Sequence, residues 1–143
     1  MRITNSPRAG SPECRLVLGA TAAPATTSGK ALPALFTDSE AARGQIVFQQ
    51  HCAACHGEDL RGKIGPALIG PSLGSAADHT TVSIMFNVIA AEMPAGDPAS
   101  LTSQEYTAIM AYILKRNGYP AGPHPLSFTA AETSDVPLIS QAQ

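Results

Sequence analysis

The chain has 143 residues, the length of one ordinary domain, and nine Lys plus Arg against eleven Asp plus Glu leave it a formal charge of -2. With charged residues at 14% there is no basic surface for a phosphate backbone, which excludes nucleic-acid binding. The longest apolar stretch, residues 82–91, is interrupted by Ser83 and Asn87 and is half the length a bilayer needs, so no integral membrane segment is expected.

Residues 1–29 carry Arg2, Arg8 and Arg15, then Leu16-Val17-Leu18-Gly19-Ala20, then small residues around Ala20-Thr21-Ala22 and Ala23-Pro24-Ala25. Basic, apolar and small-residue regions in that order resemble a weak secretory leader, although Pro7, Pro12 and Glu13 are atypical of one. The alternative is a disordered N-terminal extension. Both readings leave residues 1–29 outside the expected fold. Cleavage near residue 23 would remove Cys14, the odd cysteine of three, and leave a mildly acidic protein.

Thr37-Asp38-Ser39-Glu40 reads as a capping box, with the Thr37 hydroxyl available to a helix amide and Glu40 reaching back. Ile46, Val47 and Phe48 then predict the apolar face of a helix running up to the cysteines. Gly44 inside it costs about 1 kcal/mol relative to Ala, so a close contact with another helix is expected there. Gly57, Gly62, Gly65, Pro66, Gly70, Pro71 and Gly74 make residues 57–79 an irregular loop. Val82, Met85, Phe86 and Ile89 fall at i, i+3, i+4 and i+7 and predict a second, amphipathic helix. It stops before Met93-Pro94, because a residue preceding proline is pushed out of the helical region.

Thr102-Ser103-Gln104-Glu105 is a second capping box. It opens a helix with Tyr106, Ile109, Met110, Ile113 and Leu114 on one stripe, Lys115 and Arg116 in its last turn and Asn117-Gly118 as its stop. Beyond it, Pro120, Pro123, Pro125 and Pro137 predict an extended tail over residues 120–143, packing through Leu126, Phe128, Leu138 and Ile139. No β pattern and no internal repeat are present, so the expected class is all-α.

The chemistry is concentrated in Cys52-Ala53-Ala54-Cys55-His56. At i, i+3 and i+4, one helical turn presents two thiols and an imidazole on the same face. The spacing is that of covalent c-type haem attachment: the thiols bond the porphyrin while His56 reaches the iron. A structural zinc site wants four ligands, and the remaining cysteine, Cys14, lies in the presumed leader. A thioredoxin-like redox pair would sit at a helix start in a βαβ pattern, which this chain lacks.

Together these features resemble a class I, single-haem cytochrome c over residues 36–118. The resemblance implies three main helices and irregular loops around one covalently bound haem c, with a cytochrome domain over residues 30–119. It also implies that Gly44 and Phe48 meet Tyr106, Ile109 and Ile113 of the last helix. Gly65-Pro66 resembles the family's Gly-Pro, which implies that the Pro66 carbonyl accepts a hydrogen bond from the iron-bound imidazole of His56.

The distal ligand is to be chosen among Met85, Met93, Met110, His51, His79 and His124. Met85 and Met110 belong to helix stripes, as core methionines do. His51 is read as pointing off the attachment face, and His124 sits in the tail. Met93 lies just past a helix where the chain turns, and the family's axial methionine likewise precedes proline. Met93 is therefore the expected ligand, with His79 the alternative. His/Met ligation closes both axial positions and leaves one-electron transfer as the work of the haem. Such a carrier is expected in the periplasm, because thioether attachment takes place outside the bacterial cytoplasm.

Shorter stretches narrow the partner. Leu60-Arg61-Gly62, Met93-Pro94-Ala95-Gly96, Leu101 to Tyr106, and Ala111-Tyr112-Ile113-Leu114 running to Gly122 resemble the small cytochrome c partners or subunits of bacterial quinoprotein and flavoprotein alcohol or sugar dehydrogenases. Cytochromes serving terminal oxidases or sulfur-compound oxidation share much of this pattern. The implied partners are thus redox proteins, with a dehydrogenase as donor and an oxidase or another cytochrome as acceptor. A haem enzyme or ligand sensor is the reading left if Met93 is off the iron.

Overall fold

In the computed structural model, which describes residues 31–73 and 77–142, the first helix α1 (Asp38–His51) starts where extended Thr37 accepts the Glu40 amide on its hydroxyl at 3.2 Å. The reciprocal half of the expected capping box does not form. Glu40 is buried, and its carboxylate accepts the Leu126 amide at 2.8 Å, tying α1 to the C-terminal segment. A carboxylate removed from water needs a donor, and the tail supplies one where the start of the helix does not. The buried stripe of α1 is Glu40, Ala41, Gly44 and Phe48, while Ile46 is 60% exposed. The expected face is thus correct at Phe48 and rotated at Ile46.

The rotation follows from how α1 crosses α4 (Ser103–Arg116). A Cβ built on Gly44 would lie 1.7 Å from the Ala108 carbonyl oxygen and 3.0 Å from the Tyr112 Cβ, so the two helices meet backbone to backbone at this glycine. The Phe48 ring lies 5.4 Å from that of Tyr112. Ala108 and Tyr112 meet Gly44 and Phe48 at the crossing itself. Ile109 and Ile113 share the core with Phe48 and line a cavity with it, and the Tyr106 hydroxyl reaches Met93. α4 carries the full capping box: Thr102 Oγ1 accepts the Glu105 amide at 3.3 Å, and the Glu105 carboxylate accepts the Thr102 amide at 2.8 Å.

Between these helices come α2 (Ala53–His56), a loop of turns, and α3 (Val82–Glu92), whose first turn is capped by Thr81 and which ends at Met93. Val82, Phe86 and Ile89 of α3 are buried as the periodicity predicts. The tail is not extended throughout. Residues 128–133 form α5 (Phe128–Thr133), capped by Ser127, with the Phe128 ring edge-on to Phe86 at 4.9 Å. The prolines stand at residues 120, 123, 125 and 137, and the stretch between the last two is free to coil. The chain then runs back along the start of α3: the Val82 amide donates to Val136 and the Leu138 amide to Thr80. One isolated antiparallel bridge, Thr81 to Pro137, is the β structure among the described residues. No described helix is long and apolar enough to cross a membrane. The leader expected over residues 1–29, with Cys14, lies outside the described residues.

Candidate functional site

The break between α1 and α2 falls at Cys52, so the attachment motif sits on its own short turn at the foot of a packed helix. Below it the chain folds back tightly. The Cys55 carbonyl accepts the amides of Lys63, Ile64 and Gly65 at 2.9–3.1 Å, and the His56 carbonyl accepts that of Gly62 at 2.8 Å. This brings Gly65 and Pro66 against the imidazole, close enough that a Cβ at Gly65 would lie 2.9 Å from the His56 ring. The Pro66 carbonyl lies 2.8 Å from His56 Nδ1. Because a carbonyl oxygen only accepts, Nδ1 carries the proton, and the lone pair of the ring belongs to Nε2. That tautomer is the one a metal-binding imidazole needs.

Cys52, Cys55 and His56 line a cavity of about 420 Å³ whose other walls are almost wholly apolar. Phe48 comes from α1, Leu68 and Leu73 from the loop, Ile109 and Ile113 from α4, and Ile89 from α3. Burial first, and the neighbouring Cys55 sulfur second, push the Cys52 thiol up to about 11. It therefore lacks the thiolate character of a redox-active pair. An apolar cavity lined by two thiols and by an imidazole with a free Nε2 lone pair fits a covalently attached haem.

The candidates for the distal ligand separate. Met93 and Met85 both line the cavity, Met85 half-buried on α3 and Met93 in extended backbone at its end. The reading of Met85 as a core residue missed this, since a residue between two buried neighbours on a stripe can still face a cavity. Met110 is fully buried outside the cavity lining. His79 and His124 are exposed and away from it. His51, expected off the attachment face, is exposed and is among the residues lining the cavity.

Two residues carry more than their sequence positions suggest. Tyr106 donates its hydroxyl to the Met93 carbonyl at 2.7 Å. Asn117, read as a helix stop, is fully buried: its Nδ2 donates to Leu68 O at 3.0 Å and Ile113 O at 2.8 Å, and its Oδ1 accepts the Gly70 amide at 3.3 Å. An Asn just past a helix has the ordinary look of a terminator, and no local pattern distinguishes one that reaches into a loop 47 residues away.

Comparison with known proteins agrees with this geometry. Residues 39–113 match the family described as cytochrome c oxidase, cbb3-type, subunit III. The chain is similar to a cytochrome c-553-like protein of Synechocystis sp., 32% identical over 74 residues, which are 52% of this chain and 67% of the relative. It is also similar to cytochrome c-551 of Bacillus subtilis, 40% identical over 53 residues, 36% of this chain and 45% of that protein's length. In fold it resembles a chain of the sulfane dehydrogenase SoxCD from Paracoccus pantotrophus, with a TM-score of 0.54 and 22% identity over 89% of this chain and 69% of that one. The match over residues 39–113, the helical fold and the attachment motif on an apolar cavity establish that the chain belongs to this cytochrome c family and is a class I, single-haem cytochrome c, an electron-transfer protein with covalently bound haem c.

Proposed function

We propose that the chain is a periplasmic one-electron carrier that accepts electrons from a quinoprotein or flavoprotein dehydrogenase and passes them toward a terminal oxidase. In this reading Cys52 and Cys55 hold the haem by thioethers, and His56 Nε2 and Met93 Sδ are the axial ligands. Pro66 acts through its hydrogen bond to His56. The observation that carries the reading is the 2.8 Å contact between His56 Nδ1 and Pro66 O, on a ring lining the same apolar cavity as both cysteines and Met93. Met93 is preferred to Met85 because it sits at the end of α3, where extended backbone frees its side chain from the helical lattice that holds Met85.

Bound haem supplies an iron that cycles between ferrous and ferric states. The protein's part is to set the balance. The Pro66 bond fixes the imidazole and raises its basicity, the Met93 thioether favours the reduced state, and apolar walls keep water away. The matched family's description as an oxidase subunit supports an oxidase on the acceptor side. The domain reading is a leader over residues 1–29, a cytochrome domain over 30–119 and a tail over 120–143 that folds back onto it.

The test is spectroscopic. The exported holoprotein should show a low-spin reduced spectrum that carbon monoxide leaves unchanged, and its mature mass should lack Cys14. Expression without export should give colourless protein. Rapid carbon monoxide binding by the unaltered protein would instead identify a haem enzyme or ligand sensor. The donor is tested by mixing the oxidised protein with a reduced quinoprotein or flavoprotein dehydrogenase and following haem reduction.

A further inference from the structure

Met93 begins a surface segment that has little of its own to hold it. Residues 95–100 are all exposed, and the segment carries Pro94, Gly96 and Pro98. Its internal hydrogen bonds are short-range turns, Asp97 N to Pro94 O at 2.9 Å and Ala99 N to Met93 O at 3.3 Å. Ala99 lies in the left-handed region at φ 57°, where a side chain is disfavoured. Such a segment opens at low cost.

One buried group spans it. Tyr106 is 3% exposed on the first turns of α4, and its hydroxyl uses both hydrogen-bonding roles on the two ends of the segment. It donates to the Met93 carbonyl at 2.7 Å and accepts the Leu101 amide at 3.4 Å. The ring is anchored in the core and the full capping box stiffens the helix around it. The oxygen is therefore a fixed point toward which both ends of the loop are drawn.

We infer that Tyr106 is the positioning residue that holds Met93 in the cavity wall, and that its hydroxyl decides whether the haem iron is closed to outside ligands. This rests on the proposed His56/Met93 ligation and deepens it. Tyr106 does not touch the haem site itself; it acts through the Met93 backbone. A displaced Met93 would leave the iron with His56 alone and open a position to small molecules, turning a carrier into a ligand-binding haem protein.

The experiment uses Tyr106→Phe in the full holoprotein, a change that removes one oxygen and keeps the packed ring. The carbon monoxide association rate of the reduced protein should rise about tenfold, the effect of losing one hydrogen bond on the Met93 off-state. The charge-transfer absorption of the thioether–iron bond in the oxidised protein should weaken. Tyr112→Phe is the control, since the Tyr112 hydroxyl accepts from Arg116 and reaches no part of the Met93 segment. It should leave both readouts unchanged. If Met93→Ala opens the iron to carbon monoxide while Tyr106→Phe behaves as wild type, the inference is wrong and the ligation stands. If Met93→Ala is itself silent, the ligation is wrong. Equal effects from Tyr106→Phe and Tyr112→Phe would mean a general loosening of α4 and would also overturn the inference.

Discussion

The wall that carries His56 is assembled within a short run of chain, whereas the wall that carries Met93 depends on a side chain of another helix. On the first side, the carbonyls of Cys55, His56 and Leu60 collect the amides of Gly62, Lys63, Ile64, Gly65 and Leu68, and His56 Nδ1 closes on Pro66 ten residues away. On the second, Met93 leaves α3 into an exposed segment, and its carbonyl is met by a tyrosine thirteen residues on. Local hydrogen bonds form at small entropic cost and re-form readily, while a loop held from one point can open without disturbing the rest. Under the proposed ligation, that difference would keep the imidazole in place and put any lability on the methionine side.

The largest effect should come from Gly44→Ala, which disturbs both walls together. The added Cβ meets the Ala108 carbonyl oxygen at 1.7 Å, and neither backbone can yield without separating α1 from α4. The expected loss is at least about 3 kcal/mol, read by denaturant unfolding of the holoprotein. Wild-type stability in this variant would show that the crossing is looser than the geometry requires.

Asn117→Leu sharpens the comparison, because it strikes the His56 side from a distance. It removes the bonds to Leu68 O and Ile113 O and leaves the Gly70 amide to Ser140 Oγ, which lies 3.0 Å away. A cost of about 2 kcal/mol is expected, since the Leu68 carbonyl loses its donor and only Ile113 O keeps one, the backbone amide of residue 117. The potential should shift while carbon monoxide still fails to bind. Carbon monoxide binding in this variant would couple the two walls and break the distinction.

The α4 capping box offers a smaller, pH-dependent effect on the Met93 side, because it stiffens the turn that carries Tyr106. The Thr102 backbone amide, then the Thr102 side chain, hold the Glu105 carboxyl below its ordinary value. A carboxyl lowered in the folded state stabilises above its unfolded value, near 4.5, and loses that contribution as pH falls through its folded value. Thr102→Ala should cost about 1 kcal/mol at pH 7. Its deficit relative to wild type should narrow below pH 4.5 as Glu105 protonates in both proteins. A deficit that widened in acid would reverse the sign of the argument.

How much of this was legible in the residues follows the same division. The His56–Pro66 contact and the Thr102–Glu105 box are short-range patterns whose partners lie within about ten positions, and the structure shows both. Longer-range choices were not readable. Glu40 has the spacing of a capping box and spends its carboxylate on Leu126. Ile46 fits an apolar face that the α1–α4 crossing turns toward solvent. The six residues of α5 are too few to show a helical period among prolines. Met85 and Met93 differ in sequence as a stripe residue and a loop residue, yet both reach the cavity.

That last pair bears on the central claim, and carbon monoxide binding to the reduced holoprotein tests it directly. Met85→Leu conserves volume and should cost under about 1.5 kcal/mol, with the iron still closed to the gas. Met93→Ala should keep the haem covalently attached, lower the potential and bind carbon monoxide rapidly. The opposite pattern, a closed iron in Met93→Ala and an open one in Met85→Leu, would contradict the account.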